Sequence, residues 1–482
     1  MSPDARDPLS LADDAPLLDG WLRTMRAVDA GTRLPFTVPG HKSRTDLVGD
    51  VVVGDLPMFG GVDTIKGAPA LLAEAERRAA TLWGADWCRF SVGGSTHGNQ
   101  ALALAVASPG REVVVSRTLH RSMLLGLVLA GLHPVWVRPD VDPVTGLPTS
   151  VPVAALRQAL AVHPGAAAVF LGDPSYVGTV GDLTGQAAAV HEAGVPLIVD
   201  AAWAAHFGFH PGLPPHALAA GADAMVVSAH KALPAYTQAA VVLARTRPSG
   251  LLDPDRLERA FEAGNTTSPA GSVLASIDAA RVLLDRHGQA LSERLLAAVA
   301  KARDRLREVD GIAVLEGPGV DPSKLVVLLP GTGAHGHAVE ADLIAAGMPV
   351  EMADRDTVVA MVTLADDTAT TSRLAEEIIA SVHRHRGPPR PVLPAASWTV
   401  EPDVVMPPRE AFFAGHETVR AEAAVGRVSA ELVAPYPPGV PVLAPGERIH
   451  REALGALRAA AADGVRIAYA ADPGLATLQV VR

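Results

Sequence analysis

Short apolar runs of strand length alternate along most of this chain with segments whose apolar residues recur at helical spacing, and Gly/Pro turns separate the two. EVVVS (112–116), HPVWV (133–137), AAVFLG (167–172), PLIVD (196–200), AMVVS (224–228) and AAVVLA (239–244) are six such runs. Runs this short and this apolar suit buried strands, and their alternation with helical segments suits βαβ units. The pattern predicts an α/β fold with a doubly wound, mostly parallel sheet. APALLAEAERRAATLWG (68–84) predicts one covering helix, with a glycine at its stop.

Between 311 and 365 the pattern changes. GIAVLEG, KLVVLLP and VVAMVTLAD read as strands separated by helices, which predicts a smaller α/β domain, and HRHRGPPRPVLPAAS (383–397) reads as a proline-rich linker. The expected division is an N-terminal segment (1–60), a large domain (61–305), a small α/β domain (306–385) and a tail domain (386–482). No internal repeat is visible.

Composition narrows the function. No apolar run in the 482 residues approaches the roughly 20 needed to cross a bilayer. The acidic start, MSPDARDPLSLADDAPLL, lacks the basic-then-apolar order of a secretory signal, so a cytoplasmic location is expected. Cys88 is the single cysteine, which excludes an internal disulfide framework and a cysteine-rich zinc site, and no metal is expected. The formal net charge of −11 disfavours nucleic acid and anionic membranes as partners. Small molecules remain.

In open α/β sheets, ligands sit beyond the carboxyl ends of the strands, so residues just after each apolar run are the ones to question. Asp200 ends PLIVD, where a buried carboxylate is costly unless paired. Ser228, His230 and Lys231 follow AMVV, and His120 follows EVVVS. WCRFSVGGSTHGNQALALAV has a Gly/Ser/Thr turn opening into a helix, an arrangement that can cradle a phosphate. Each feature alone is ordinary: a turn, a cap, a structural histidine, a surface lysine. Their order is not. Pyridoxal phosphate needs an anion cradle, a stacking partner for its ring, a carboxylate for its pyridine nitrogen and a lysine for its aldehyde. Held as a Schiff base, Lys231 would lose the charge problem of an amine between two buried strands.

The same segments carry a family resemblance. FTVPGHK (36–42), GVDTIKGAPALLAEAERRAATLWGAD (61–86), VGGSTHGNQ (92–100), SRTLHRSM (116–123), DPSYVGTVGDL (173–183), VDAAWAAHF (199–207), SAHKALPAYTQAA (228–240) and TTSPAGSVLASIDAA (266–280) are joined by PREAFF (408–413) and GRVSAELVAPYPPGVPVLAPGE (426–447). Over nearly the whole chain they resemble the fold-type-I pyridoxal-phosphate decarboxylases of ornithine, lysine and arginine, in the shorter form without an N-terminal receiver-like wing. Ser-x-His-Lys occurs in many vitamin B6 enzymes, whereas the PYPPGVP and PGE tail with PREAFF ahead of it is typical of this family.

The resemblance implies an aspartate aminotransferase-like fold with a mostly parallel central sheet, and decarboxylation of arginine, lysine or ornithine, in that order of preference. Lys231 matches the Schiff-base lysine, His120 the stacked imidazole and Asp200 the pyridinium partner. Ser95, Thr96, His97, Ser228 and His230 match residues near the cofactor phosphate, and Trp203 a tryptophan that approaches the ring hydroxyl. Thr266 and Thr267 match a segment reaching the partner subunit's cofactor, which implies a homodimer with shared sites. His97 stands where a hydroxyl residue is common, Ala-Gly follows TTSP where an aromatic is frequent, and Ala201 and Ala205 thin the cofactor wall. A basic substrate calls for an acid at its distal cation, with Glu351 or Asp354 as candidates against the competing reading of a solvated loop. Two other readings stay open: the same cofactor acting on a modified amino acid, or by transamination or oxidation, and a non-catalytic regulator. The last is disfavoured by the joint presence of Lys231, Asp200 and His120.

Overall fold

The computed structural model describes residues 11–482 except 34, 59, 64–69, 109, 395 and 437–438. Seven strands form the large sheet: β1 (Trp87–Ser91), β2 (Glu112–Ser116), β3 (His133–Val137), β4 (Val169–Gly172), β5 (Leu197–Asp200), β6 (Ala224–Ser228) and β7 (Ala240–Ala244). Their order is β1-β7-β6-β5-β4-β2-β3, and only β7 runs against its neighbours. Side chains from both faces of the central strands are buried. Val169, Leu171, Leu197 and Val199 enter one core cluster, while Phe170, Ile198, Val226 and Val242 enter a second on the other face. Removal of each such side chain from water contributes about 1.5–3 kcal/mol, which is why these strands read as continuous apolar runs.

Helices cover the sheet. Among them are α1 (Pro16–Asp29), α2 (Leu71–Leu82), α3 (Gly94–Ala105) and α4 (Arg121–Ala130). α3 lies unusually close to the sheet: a Cβ on Gly98 would sit 2.8 Å from Val226 Cγ1 and 2.9 Å from Val242 Cγ2. That approach brings the N-terminus of α3 to the carboxyl edge of β6.

The 37-residue helix α5 (Gly271–Arg307) leads from the large sheet to the small one. The small sheet is antiparallel, with β8 (Ala313–Val314), β9 (Leu325–Leu328), β10 (Met352–Ala353) and β11 (Thr357–Ala360) in the order β10-β11-β9-β8, and α6 (Thr368–His385) packs beside α5. One core cluster runs through both sheets, from Leu17 to Val382. The tail has its own core, including Val433, Leu457 and Val480, built around α7 (Arg451–Ala462) and two short ribbons. Among the described residues, no helix is long and apolar enough to cross a membrane.

Arg117, just past β2, pins the tail to the large domain. Its guanidinium makes a bidentate pair with Glu447 at 2.6 and 2.9 Å, stacks 4.7 Å from the centre of the Trp136 ring, and donates to the Val442 carbonyl at 3.2 Å. Glu447 also accepts from the Ala444 N–H at 2.8 Å. Both partners are buried, so the pair rests on this complete set of hydrogen bonds.

Candidate active site

A cavity of about 320 Å³ opens where the carboxyl ends of β4, β5 and β6 meet the N-terminal ends of α3 and α4. Asp200 is the last residue of β5, in register with Gly172 on β4 and Val226 on β6. Its Oδ2 accepts from Asn99 Nδ2 at 2.7 Å and its Oδ1 from the Ala202 N–H at 3.2 Å. The carboxylate is thus oriented from both sides while it faces the cavity.

α3 opens on the Gly/Ser/Thr turn expected to cradle an anion. Gly94 takes the left-handed conformation (φ +68°) and donates its N–H to the Gln238 carbonyl, which turns the chain into the helix. Ser95 Oγ lies 2.6 Å from Ser228 Oγ, and Thr96 stands beside them on the cavity wall. With the free N–H groups of the helix start, these hydroxyls form a donor cluster suited to a phosphate. Asn99, one helical turn after Ser95, falls on the same side. His97 falls on the opposite side. Its Nδ1 meets Ser91 Oγ at 3.0 Å, its Nε2 meets the Phe261 carbonyl at 2.9 Å, and its ring lies against Phe261. The expected phosphate role for His97 is corrected accordingly: it is a core histidine joining α3 to its neighbours.

His120 caps α4, with Nδ1 accepting from the Ser122 N–H at 3.2 Å and lying 2.9 Å from Ser122 Oγ. Asn99 Nδ2 also donates to Ser122 Oγ, at 3.0 Å. A hydrogen-bond chain therefore runs from Asp200 through Asn99 and Ser122 to His120. Burial pushes the His120 pKa down, against the pull of Asp200 and with the help of Lys231 and Arg121. A neutral imidazole accepting at Nδ1 presents a flat, uncharged face for stacking.

Lys231 follows β6 on a single helical turn, and its Nζ lies 3.6 Å from the centre of the Trp203 ring. Burial lowers its pKa, opposed by Asp200 and Glu351. His230 beside it is held by its Nδ1 to the Ala239 carbonyl at 2.9 Å. Trp203 packs edge-on against Tyr176, whose ring also lines the cavity. Two buried polar atoms here, Asn99 Oδ1 and the Tyr176 hydroxyl, have no hydrogen-bond partner among the described residues. These orphans, the paired hydroxyls at a helix start, the carboxylate and the amine suit the polar groups of pyridoxal phosphate in kind.

The family described as "Orn/Lys/Arg decarboxylase, major domain" matches residues 44–346, and its C-terminal domain matches 393–463. An arginine decarboxylase of Halalkalibacterium halodurans is 30% identical over 470 residues, covering 93% of this chain and 94% of the relative. The chain belongs to the Orn/Lys/Arg decarboxylase family. An arginine decarboxylase of Bacillus subtilis is likewise 30% identical, over 86% of the chain and 88% of the relative. The solved lysine decarboxylase of Francisella novicida superposes with a TM-score of 0.81 at 17% identity, over 97% of this chain and 81% of that one. Membership of the Orn/Lys/Arg decarboxylases makes this a pyridoxal-phosphate enzyme that decarboxylates a basic amino acid, on the aspartate aminotransferase-like fold.

In this decarboxylase, eight of the sequence-predicted residues line the one cavity: Ser95, Thr96, His120, Asp200, Trp203, Ser228, His230 and Lys231. Thr266 and Thr267 line other hollows, one beside Arg89 and Glu258 and one beside Val38 and Pro39, and both are exposed. Glu351 is exposed at the edge of β10, close enough for its charge to act on Lys231. Asp354 is corrected: its Oδ1 accepts from the Asp356 and Thr357 N–H groups at 2.8 and 2.7 Å, which closes the β10–β11 hairpin. It forms a turn and does not line the cavity. Asn99, Ser122 and Tyr176 were missed in the sequence, although Asn99 stands four residues after Ser95 and Ser122 two after His120, spacings that place them beside predicted site residues.

Proposed function

We propose that the enzyme prefers L-arginine over L-lysine, with ornithine third, and that it works in the cytoplasm as a homodimer with shared sites. The observation that carries the site assignment is the convergence of Lys231, Asp200 and His120 on one cavity, with Asn99 linking the last two. The ranking of substrates rests on relatives: the two arginine decarboxylases stand at 30% identity, and a constitutive lysine decarboxylase of Escherichia coli at 24%.

Bound pyridoxal phosphate supplies the electron sink for the pair left at Cα when carbon dioxide departs. Every other task falls to the chain. Lys231, its amine made less basic by burial, would hold the cofactor aldehyde and, once free, would be the amine placed to carry a proton to the substrate Cα. The Asp200 carboxylate keeps the pyridine N–H protonated, and Asn99 keeps that carboxylate aimed. His120 would stack on the ring, while Ser95, Thr96, Ser228 and the start of α3 would hold the phosphate. Glu351 meets the substrate's distal cation, and Thr266 and Thr267 complete the partner subunit's site.

The test is a panel of basic amino acids given to the purified holoenzyme, scoring carbon dioxide and amine. The expected order of kcat/KM is arginine, lysine, ornithine. Lysine ahead of arginine overturns the preference, and keto acids without carbon dioxide overturn the assigned reaction. Mixing Lys231→Ala with Thr267→Arg subunits should restore part of the lost activity if sites are shared, and should restore none after proven exchange if they are not.

A further inference from the structure

Five of the 41 basic residues are lysines, and two of those five meet at one tryptophan. Lys324 immediately precedes β9 in the small sheet. Its Nζ lies 3.8 Å from the centre of the Trp203 ring, the ring on which Lys231 Nζ rests at 3.6 Å. Lys324 is 3% exposed, and its Nζ has no hydrogen-bond partner among the described residues. Its stem lies so close to Gly178 that a Cβ there would sit 3.1 Å from Lys324 Cδ. The stem therefore packs against the Gly178 backbone.

The surrounding groups leave it unpaired. Asp321 uses Oδ1 on the Ser323 N–H at 2.9 Å and on Ser323 Oγ at 2.6 Å, and Ser323 Oγ in turn meets His206 Nε2 at 2.8 Å. Arg303 donates to the Lys324 and Asp321 carbonyls and not to a side chain here. Glu351 acts on both lysines from the edge of β10, and Asp200 and His120 face Lys231 from the large sheet. A permanently charged guanidinium could not tolerate such a place, whereas an amine can shed its proton. Burial brings the Lys324 pKa down to about 8, with the Lys231 charge adding to the fall and Asp321 and Glu351 opposing it. A chain that otherwise favours arginine has an amine at this spot.

We propose that Lys324 is a positioning residue of the active site, acting beside Lys231 at the Trp203 ring to favour the uncharged, nucleophilic form of Lys231. Two ammonium groups against one ring repel in a dry setting, so a proton on either amine makes the other harder to hold. The consequence is faster capture of the cofactor aldehyde and faster exchange with the amino substrate. The consequence for catalysis rests on Lys231 being the cofactor's carrier, but the coupling between the two amines does not.

The test reads that coupling first. In full-length protein carrying 13C at the lysine Cε, five signals are assigned by substitution, and the Lys231 and Lys324 midpoints are followed with pH in cofactor-free protein. Lys324→Met should raise the Lys231 midpoint by about one pH unit, and Lys231→Met should raise the Lys324 midpoint by the same amount. In the holoenzyme, Lys324→Met should raise the pH midpoint of the cofactor's absorbance, which follows the Lys231 nitrogen. Unchanged midpoints on removal of either amine overturn the proposal and leave Lys324 a packing residue. If Lys324→Met does not fold, the Lys231→Met half of the cycle decides alone, because it keeps Lys324 in place. A coupled pair whose holoenzyme absorbance ignores Lys324 would preserve the coupling and overturn its role toward the cofactor.

Discussion

The Asn99 side-chain amide donates to Asp200 Oδ2 at 2.7 Å while its second hydrogen goes to Ser122 Oγ, so one buried residue orients both the carboxylate and, through Ser122, the His120 ring. Neither cavity-facing group is held by its own strand or cap alone. Asn99→Ala should therefore lower kcat about ten- to a hundredfold, the equivalent of one charge-assisted hydrogen bond, with a smaller change in KM. Steady-state kinetics on cofactor-saturated protein check this. An unchanged kcat would mean that Asp200 and His120 hold their places without it.

Asp173, just past β4, is buried, and burial raises its pKa from 3.8 to about 7, with the Gly181 N–H at 2.6 Å pulling the other way and Asp321 adding to the rise. Because the folded-state value exceeds the unfolded one, the folded chain holds this proton more tightly. The contribution to stability is full below the unfolded value and is lost as pH rises through about 7. Denaturant midpoints of the wild type should fall relative to Asp173→Asn across that window. A constant difference between the two proteins would contradict it.

The Arg117–Glu447 pair joins the tail to the strand end that leads into Thr118 and His120. Glu447→Ala strands a buried guanidinium, which costs about 3–5 kcal/mol. Subtilisin cleavage in the exposed stretch around 386–394 should accelerate, and Arg117→Met with Glu447→Leu should recover much of the resistance because no charge is left unpaired. Equal cleavage rates in all three proteins would show that the tail is held elsewhere.

The two buried faces of the central strands made β2 to β7 legible, since each is a continuous apolar run. β1 was not, because Arg89 interrupts it. That side chain reaches Glu76 at 3.4 Å and Glu258 at 3.2 Å, partners far apart in sequence, and only tertiary structure reveals that they accommodate a charge inside a strand. The residues around Lys231 were legible because each follows its own strand or opens its own helix. His97 was misplaced because a motif position was carried over without its helical phase, which puts it on the far side of α3 from Ser95. Asp354 was misplaced because an acid in a short turn looks the same in sequence whether it faces a ligand or two backbone N–H groups. Lys324 stood in KLVVLLP as the polar start of a strand, and nothing local marks it as a neighbour of Trp203, 121 positions earlier.

Lys231 is the proposed carrier of the cofactor, and borohydride reduction of the holoenzyme followed by peptide mapping decides whether it is. The chain offers five lysines as possible carriers: Lys42, Lys66, Lys231, Lys301 and Lys324. The expected result is one pyridoxyl group per chain, on the peptide containing Lys231, and none in Lys231→Ala. A label on Lys324 or any other lysine, or no label in a protein that binds the cofactor, would overturn the assignment of Lys231.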